Sequence, residues 1–383
     1  MSGLERATAA LDGAAGAVVI LSPNPMHDTG GGQRSAQLAS EFLARGFAVL
    51  FVSHGQVTET VDLGLAFSTP RLLEHGLHDI SHGEGKKAMR AFVAHAGAFV
   101  ITQLPVADWL PVLSEAHRQG AIRVYDLIDE WDSELGYGWY RRRAERRVLV
   151  QSDVLVATAP SLARYLERRT RREVSLIPNA YNGRVFSRVG AHERPVDLLP
   201  GPTAMYVGSL WGGWMDWELL DALSRALPEV NFVFIGDHRA EGKGLPANCR
   251  FLGLKAQTEL PRYLAHATVA LLPWKDNAVT QATSPLKVYE YVAMGLRVVA
   301  PPLEPLAGIP GVVPCVGLPD FEQAIREAVG VSVPPELRQR MIDFTAQQSW
   351  ARRVDALLDL VNTARSSRTE PTLLSRIRAT LGW

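Results

Sequence analysis

The feature that most narrows what this chain can fold into is an alternation of short apolar runs with stretches of helical periodicity. AVVILS (Ala17–Ser22) is followed by a loop, then by Leu38, Ala39, Phe42 and Leu43 at helical spacing. Gly46 closes that helix, and FAVLFVS (Phe47–Ser53) follows at once. A strand covered on both faces reads as a continuous apolar run, and parallel neighbours need a crossover that is usually helical. The pattern therefore predicts βαβ units in a parallel sheet. AFVITQ, IRVYDL, DVLVAT and EVSLIP continue it at intervals that leave room for helices. SRVGAHERPVDLLPGP (Ser187–Pro202), rich in proline and glycine, interrupts the pattern. It restarts with TAMYVG, NFVFIG, RFLGL, TVALLP and LRVVA.

The expectation is an α/β chain with two doubly wound, Rossmann-like domains, 1–190 and 200–345. The amphipathic stretch that begins SWARRVDALLDLVNTA, within 349–383, would pack back across the junction. Ligands of such folds lie outside the carboxyl ends of the strands, so a cleft between the domains is the expected site. A length of 383 residues is comfortable for two cores.

Forty basic residues balance forty acidic ones, which gives no reason to expect a nucleic-acid partner. The balance is local only in part. From Tyr137 to Arg188 the chain carries twelve arginines against four acids, among them Arg141, Arg142, Arg143, Arg146 and Arg147. Such an excess fits either a solvated helix face or peripheral contact with anionic lipid. No apolar run approaches the ~20 residues that span a bilayer. Glu5 and Asp12 interrupt any signal-peptide pattern, and Cys249 and Cys315 have neither metal-ligand nor disulfide spacing. A cytoplasmic protein, with peripheral contact at the inner face of the membrane as one reading of that excess, is the expectation.

Four stretches could carry chemistry. PNPMHDTGGGQR (Pro23–Arg34) puts successive glycines at a helix start, where backbone N–H groups can approach an anion; a plain flexible turn is the alternative. VYDLIDEWDSELG (Val124–Gly136) delivers Asp126 and Asp129 at a strand end, suited to a base or to sugar hydroxyls, or to helix capping. YVGSLWGGWMDWELL ends a strand at Gly208 and follows it with Trp211 and Trp214 in a loop, where rings could stack on a sugar or base. Trp217, later, could simply be core.

The fourth is SPLKVYEYVAMGLRVVAPP (Ser284–Pro302). Ser284 is the expected N-cap and Pro285 suits a first turn, which places Lys287 where the helix dipole disfavours a cation. An anion bound there would explain it, since helix starts collect phosphates, and Glu290 one turn deeper could accept hydrogen bonds from a ribose. An ordinary i,i+3 ion pair is the plain alternative.

GGGQR with its helix, SDVLVATAPSLARYL, IPNAYNGRVF, YVGSL and SPLKVYEYVAMGLRVVA together resemble GT-B glycosyltransferases of the bacterial group that includes family four. The resemblance covers nearly the whole chain, and the last segment, of the S-P-x-K-x-x-E type, is its most specific part. It implies transfer of a sugar from a nucleotide diphosphate sugar, with UDP favoured by analogy, to a hydroxyl of a glycan, lipid-linked or secondary-metabolite acceptor. It implies a donor-binding set of Gly31, Gly32, Gly208, Ser209, Ser284, Lys287 and Glu290, with Asp126 or Asp129 catalytic, Trp211 and Trp214 stacking, and no metal or other cofactor. The chain departs from the family where Ala282 replaces the first glutamate of the E-x7-E motif and Ser209 replaces an arginine. A nucleotide-sugar 2-epimerase of the same fold, or a catalytically silent sugar- or partner-binding protein, are the alternatives.

Overall fold

The computed structural model describes residues 2–27, 32–55, 69–188, 190–237, 239, 242 and 244–369. The first sheet holds β1 (Ala17–Ser22), β2 (Ala48–Ser53), β3 (Leu72–Gly76), β4 (Phe99–Thr102), β5 (Ile122–Leu127), β6 (Val154–Ala157) and β7 (Ser175–Leu176). Their spatial order is β3-β2-β1-β4-β5-β6-β7. The second sheet holds β8 (Thr203–Val207), β9 (Asn231–Ile235), β10 (Cys249–Phe251), β11 (Val269–Leu271), β12 (Val298–Ala300) and β13 (Val312–Pro314). Its order is β10-β9-β8-β11-β12-β13. The strand pairings in both sheets are parallel. Strand order reverses between β1 and β4 and again between β8 and β11, and at such reversals a crevice opens at the carboxyl ends.

The apolar runs become strands because helices cover both of their faces. Along β1, Ala17, Val19 and Leu21 enter one core cluster while Val18 and Ile20 enter the other. The Trp350–Thr369 helix closes the second of these faces with Trp350, Val354, Leu357 and Val361. Two strands, β3 and β13, have no counterpart among the apolar runs. Both are edge strands with partly exposed residues, so they show no unbroken apolar signal.

The chain passes between domains earlier than the proline-rich stretch suggests. Ile177 and Ala180 pack in the first domain, whereas Phe186 and Leu198 already belong to the core of the second. The return passage lies alongside, where Tyr181 N donates to Gln348 O at 3.1 Å. Across the interface Arg164 makes a two-pronged bond to Glu304 (2.8 and 2.7 Å), and Ser161 Oγ donates to the carbonyl of Gln281 at 3.2 Å. Ala282 is buried against the core of the first domain.

Candidate active site

A cleft of about 970 Å³ lies between the carboxyl ends of the two sheets and is lined from both domains. Its second-domain wall is organised by the Leu286–Ala293 helix, which connects β11 to β12. The Tyr291 hydroxyl accepts from the backbone N–H of Val207 at 2.7 Å, pinning that helix to β8. The N-cap position is held by Pro285, with no side-chain cap. Ser284 therefore does not cap the helix as expected. Its hydroxyl accepts instead from Asn179 N (3.1 Å), and its carbonyl accepts from Asn179 Nδ2 (2.7 Å). The loop that leads into the helix is thus held by the interdomain passage.

Lys287 lines the cleft with its ammonium over two rings, 4.7 Å from the centroid of Trp274 and 5.2 Å from that of Tyr206. No carboxylate of the described residues comes within ion-pair distance of it. Burial brings its pKa down to about 8, with the charge of Glu290 opposing that shift. Room for the side chain depends on Gly208. A Cβ there would sit 2.5 Å from Lys287 Cε, and the φ of 136° is one that L side chains rarely adopt. Ser209, next along, lines the cleft, and its carbonyl accepts from the Tyr206 hydroxyl at 2.9 Å.

Glu290 lies beneath the cleft surface, 4% exposed, with Gln257 Nε2 donating to it at 3.4 Å. Burial raises its pKa to about 8 against the pull of Lys287 and Gln257. Lys287 and Glu290 are thus an amine and a carboxyl group whose charged forms burial disfavours, near the positive end of one helix.

The two aspartates of the first domain part company. Asp126 is fully buried: Arg34 donates to both of its oxygens (2.8 and 3.0 Å) and Gln103 Nε2 adds a third bond at 2.9 Å. Both oxygens are occupied and neither faces the cleft, so Asp126 is a structural anchor for Arg34 and not a base. Arg34 passes the constraint on by donating to Pro178 O and Asn179 Oδ1, both at 3.2 Å. Asp129 lines the cleft. Burial pushes its pKa up to about 7, with a hydrogen bond from the Thr283 side chain of the second domain pulling the other way. A carboxylate near neutrality that is open to the cleft is suited to accepting a proton.

Of the glycine loop, Gly31 lies outside the described residues, and Gly32 sits in the turn beside Gln33, which lines the cleft. Trp211 and Trp214 line the cleft with ring centroids 5.6 Å apart, and the Arg239 guanidinium lies 3.7 Å above Trp211. Trp217 turns away and packs near Phe251. Among the described residues no group of His, Cys, Asp or Glu could hold a metal ion.

Sequence reasoning missed several cleft residues. Trp131, Glu134 and Trp139 come from the same loop as Asp129, and Arg239, Lys255 and Trp274 follow strands of the second sheet. Position after a strand's carboxyl end was the available signal for the last three.

The chain has the GT-B fold, two parallel sheets that face one cleft. It overlays a sucrose-phosphate synthase from Thermosynechococcus elongatus with a TM-score of 0.63 at 15% identity, covering 92% of this chain and 100% of that one. Anabaena HepE in complex with UDP-glucose overlays with a TM-score of 0.62 at 12% identity, covering 90% and 99%. Residues 201–329, most of the second domain, match the family described as Glycosyl transferases group 1. A Bacillus subtilis (strain 168) protein named for teichuronic acid biosynthesis, the glycosyltransferase TuaH, is 22% identical over 209 residues. That match takes in 49% of this chain and 52% of TuaH, so the chain spans about half the length of the curated relative it matches. No helix among the described residues is long and apolar enough to cross a membrane.

Proposed function

We propose that this protein transfers a sugar from a nucleotide diphosphate sugar, UDP favoured, to a hydroxyl of a glycan or lipid-linked acceptor. The observation that carries this reading is Lys287: a cation over two rings, with no carboxylate of the described residues at ion-pair distance, at the start of a cleft-facing helix. A diphosphate supplies the missing anion. Glu290, one turn deeper, accepts from the ribose, and Gly32, Gly208, Ser209 and Ser284 form the backbone surroundings of the donor. The names of similar proteins fit, since HepE was solved with UDP and with UDP-glucose.

In the reaction the bond from the sugar's anomeric carbon to the β-phosphate oxygen breaks, and a bond to the acceptor oxygen forms. Lys287 and the helix-start N–H groups take up charge on the departing diphosphate. Asp129 accepts the acceptor's proton, and Trp211 and Trp214 offer rings for the sugar or base. We read the transfer as metal-independent because these groups can do a metal's electrostatic work; turnover unchanged by EDTA is the expected result.

The acceptor domain also fits an anionic bilayer at the inner face of the cell membrane. Arg142, Arg143, Arg146, Arg147 and Val150 form one exposed stripe on the Arg142–Gln151 helix, and Tyr137, shortly before it in the chain, is 90% exposed. None of these four arginines pairs with a carboxylate among the described residues.

A second reading, a silent sugar-binding protein, is favoured by Ala282 alone, buried where the resemblance expects a glutamate. Incubation with UDP-sugars separates the readings. Release of UDP supports transfer, an altered sugar still bound to UDP supports epimerisation, and binding without turnover supports the silent protein.

A further inference from the structure

Four side chains form a line from the interdomain passage to the middle of the Leu286–Ala293 helix. Asn182 Nδ2 donates to Gln37 Oε1 at 3.0 Å, Gln37 Nε2 to Gln257 Oε1 at 3.2 Å, and Gln257 Nε2 to Glu290 Oε1 at 3.4 Å. Gln37 belongs to the Arg34–Ala44 helix of the first domain, and Gln257 to the 3-10 turn Gln257–Glu259 of the second. Gln37, Gln257 and Glu290 are 2%, 4% and 4% exposed. Burying such groups is costly unless each is bonded, roughly 1–3 kcal/mol for each one left open, so the line is held as a unit.

The line has a direction. Gln257 turns its amide nitrogen to Glu290 and its carbonyl to Gln37, the orientation that suits a carboxylate, which can only accept. The same logic sets Gln37 between Gln257 and Asn182. Apolar residues could seal the same contact; a chain of amides aimed at one carboxylate also fixes where that carboxylate points.

We propose that Gln37 and Gln257 are positioning residues that make nucleoside diphosphate binding depend on the contact between the domains. Gln37 touches no nucleotide itself. When the domains part, Gln257 loses the partner that orients it, and Glu290 loses a directed donor. When they meet, the carboxylate is set for the ribose. This inference rests on reading Glu290 as the ribose acceptor.

The test uses the full chain with Gln37→Met and Gln257→Met, one in each domain and both close to the native shape. UDP and inorganic pyrophosphate are titrated calorimetrically into the wild type, both variants and Glu290→Gln. The expected result is UDP binding weakened about tenfold in each Met variant, with pyrophosphate, which has no ribose, bound at wild-type affinity. In the double variant Gln37→Met/Glu290→Gln the losses should not add. UDP affinity unchanged in both Met variants overturns the inference. Equal weakening of UDP and pyrophosphate also overturns it, because the helix start itself would then have moved. If Glu290→Gln binds UDP as tightly as wild type, the ribose reading fails and takes the inference with it.

Discussion

The interior charges of the first domain and the charges of the Leu286–Ala293 helix in the second are treated in opposite ways. In the first, Asp126 is matched by Arg34 and Gln103, and Arg123 makes a two-pronged bond to Asp153 at 2.9 and 2.8 Å. Buried Glu145 accepts from Tyr165 and Tyr140 at 2.7 and 2.8 Å, with Tyr125 at 3.4 Å. In the second, among the described residues, Lys287 lies over two rings with no carboxylate at ion-pair distance, and Glu290 has one long hydrogen bond, from Gln257. Fully matched groups hold shape, because their mutual bonds offset desolvation. Underpaired groups cost stability in the free protein, and that cost makes sense only when a ligand supplies the partner. Asp129 is the exception that ties the distinction to the site and not to the domain: it follows β5 of the first domain yet faces the cleft.

The contrast predicts a descending series of effects. Arg34→Met leaves Asp126 buried without its cation and should cost about 3–5 kcal/mol in urea unfolding. Adding Asp126→Leu should recover much of that loss; no recovery would mean the two are not matched. Gly208→Ala places a side chain against Lys287 at a positive φ. It should cost about 1–3 kcal/mol of stability and displace the lysine, weakening UDP at least about tenfold by calorimetry.

Lys287→Met should do the reverse to the free protein. The lysine's folded pKa, about 8, lies below its ordinary 10.5. The fold therefore penalises the charged form fully below about pH 8, and the penalty fades as pH rises to 10.5. The Met variant should be as stable as wild type or more so at pH 7, with the advantage gone above pH 10.5. Asp129, with its pKa raised to about 7, must be ionised to accept a proton, so kcat/KM should climb through pH 7. Asp129→Asn should remove that limb; an unchanged profile would return Asp129 to a binding role. The smallest effect on stability belongs to Arg142, Arg143, Arg146 and Arg147 changed together to Gln. Unfolding should move by no more than about 0.5 kcal/mol, while co-sedimentation with anionic vesicles at low salt is lost. Undiminished sedimentation would leave the stripe an ordinary solvated face.

Much of the architecture was legible because buried parallel strands advertise themselves. AVVILS has no polar residue before its last, and its strand spans that run. LLEHG was not legible, because an edge strand needs no such run. The place of Lys287 on the cleft wall was readable, since a lysine in a helix's first turn conflicts with the dipole and the conflict sits within a few residues. Asp126 misled for the opposite reason: its partner Arg34 is 92 residues away, and nothing local shows that a strand-end carboxylate is already matched. Ser284 misled in the same way, its hydroxyl taken by Asn179 from the other domain. Local conflicts are visible in sequence, whereas long-range satisfaction is not.

The decisive experiment pairs two readings on two proteins: UDP titration and ligand-free unfolding, for the wild type and Lys287→Met at pH 7. A diphosphate partner for Lys287 predicts that the wild type binds UDP, that the variant binds at least about tenfold more weakly, and that the free variant is no less stable. Equal UDP affinity in the two proteins would contradict it. So would a variant that unfolds several kcal/mol more easily, since Lys287 would then be a matched structural charge like Arg34.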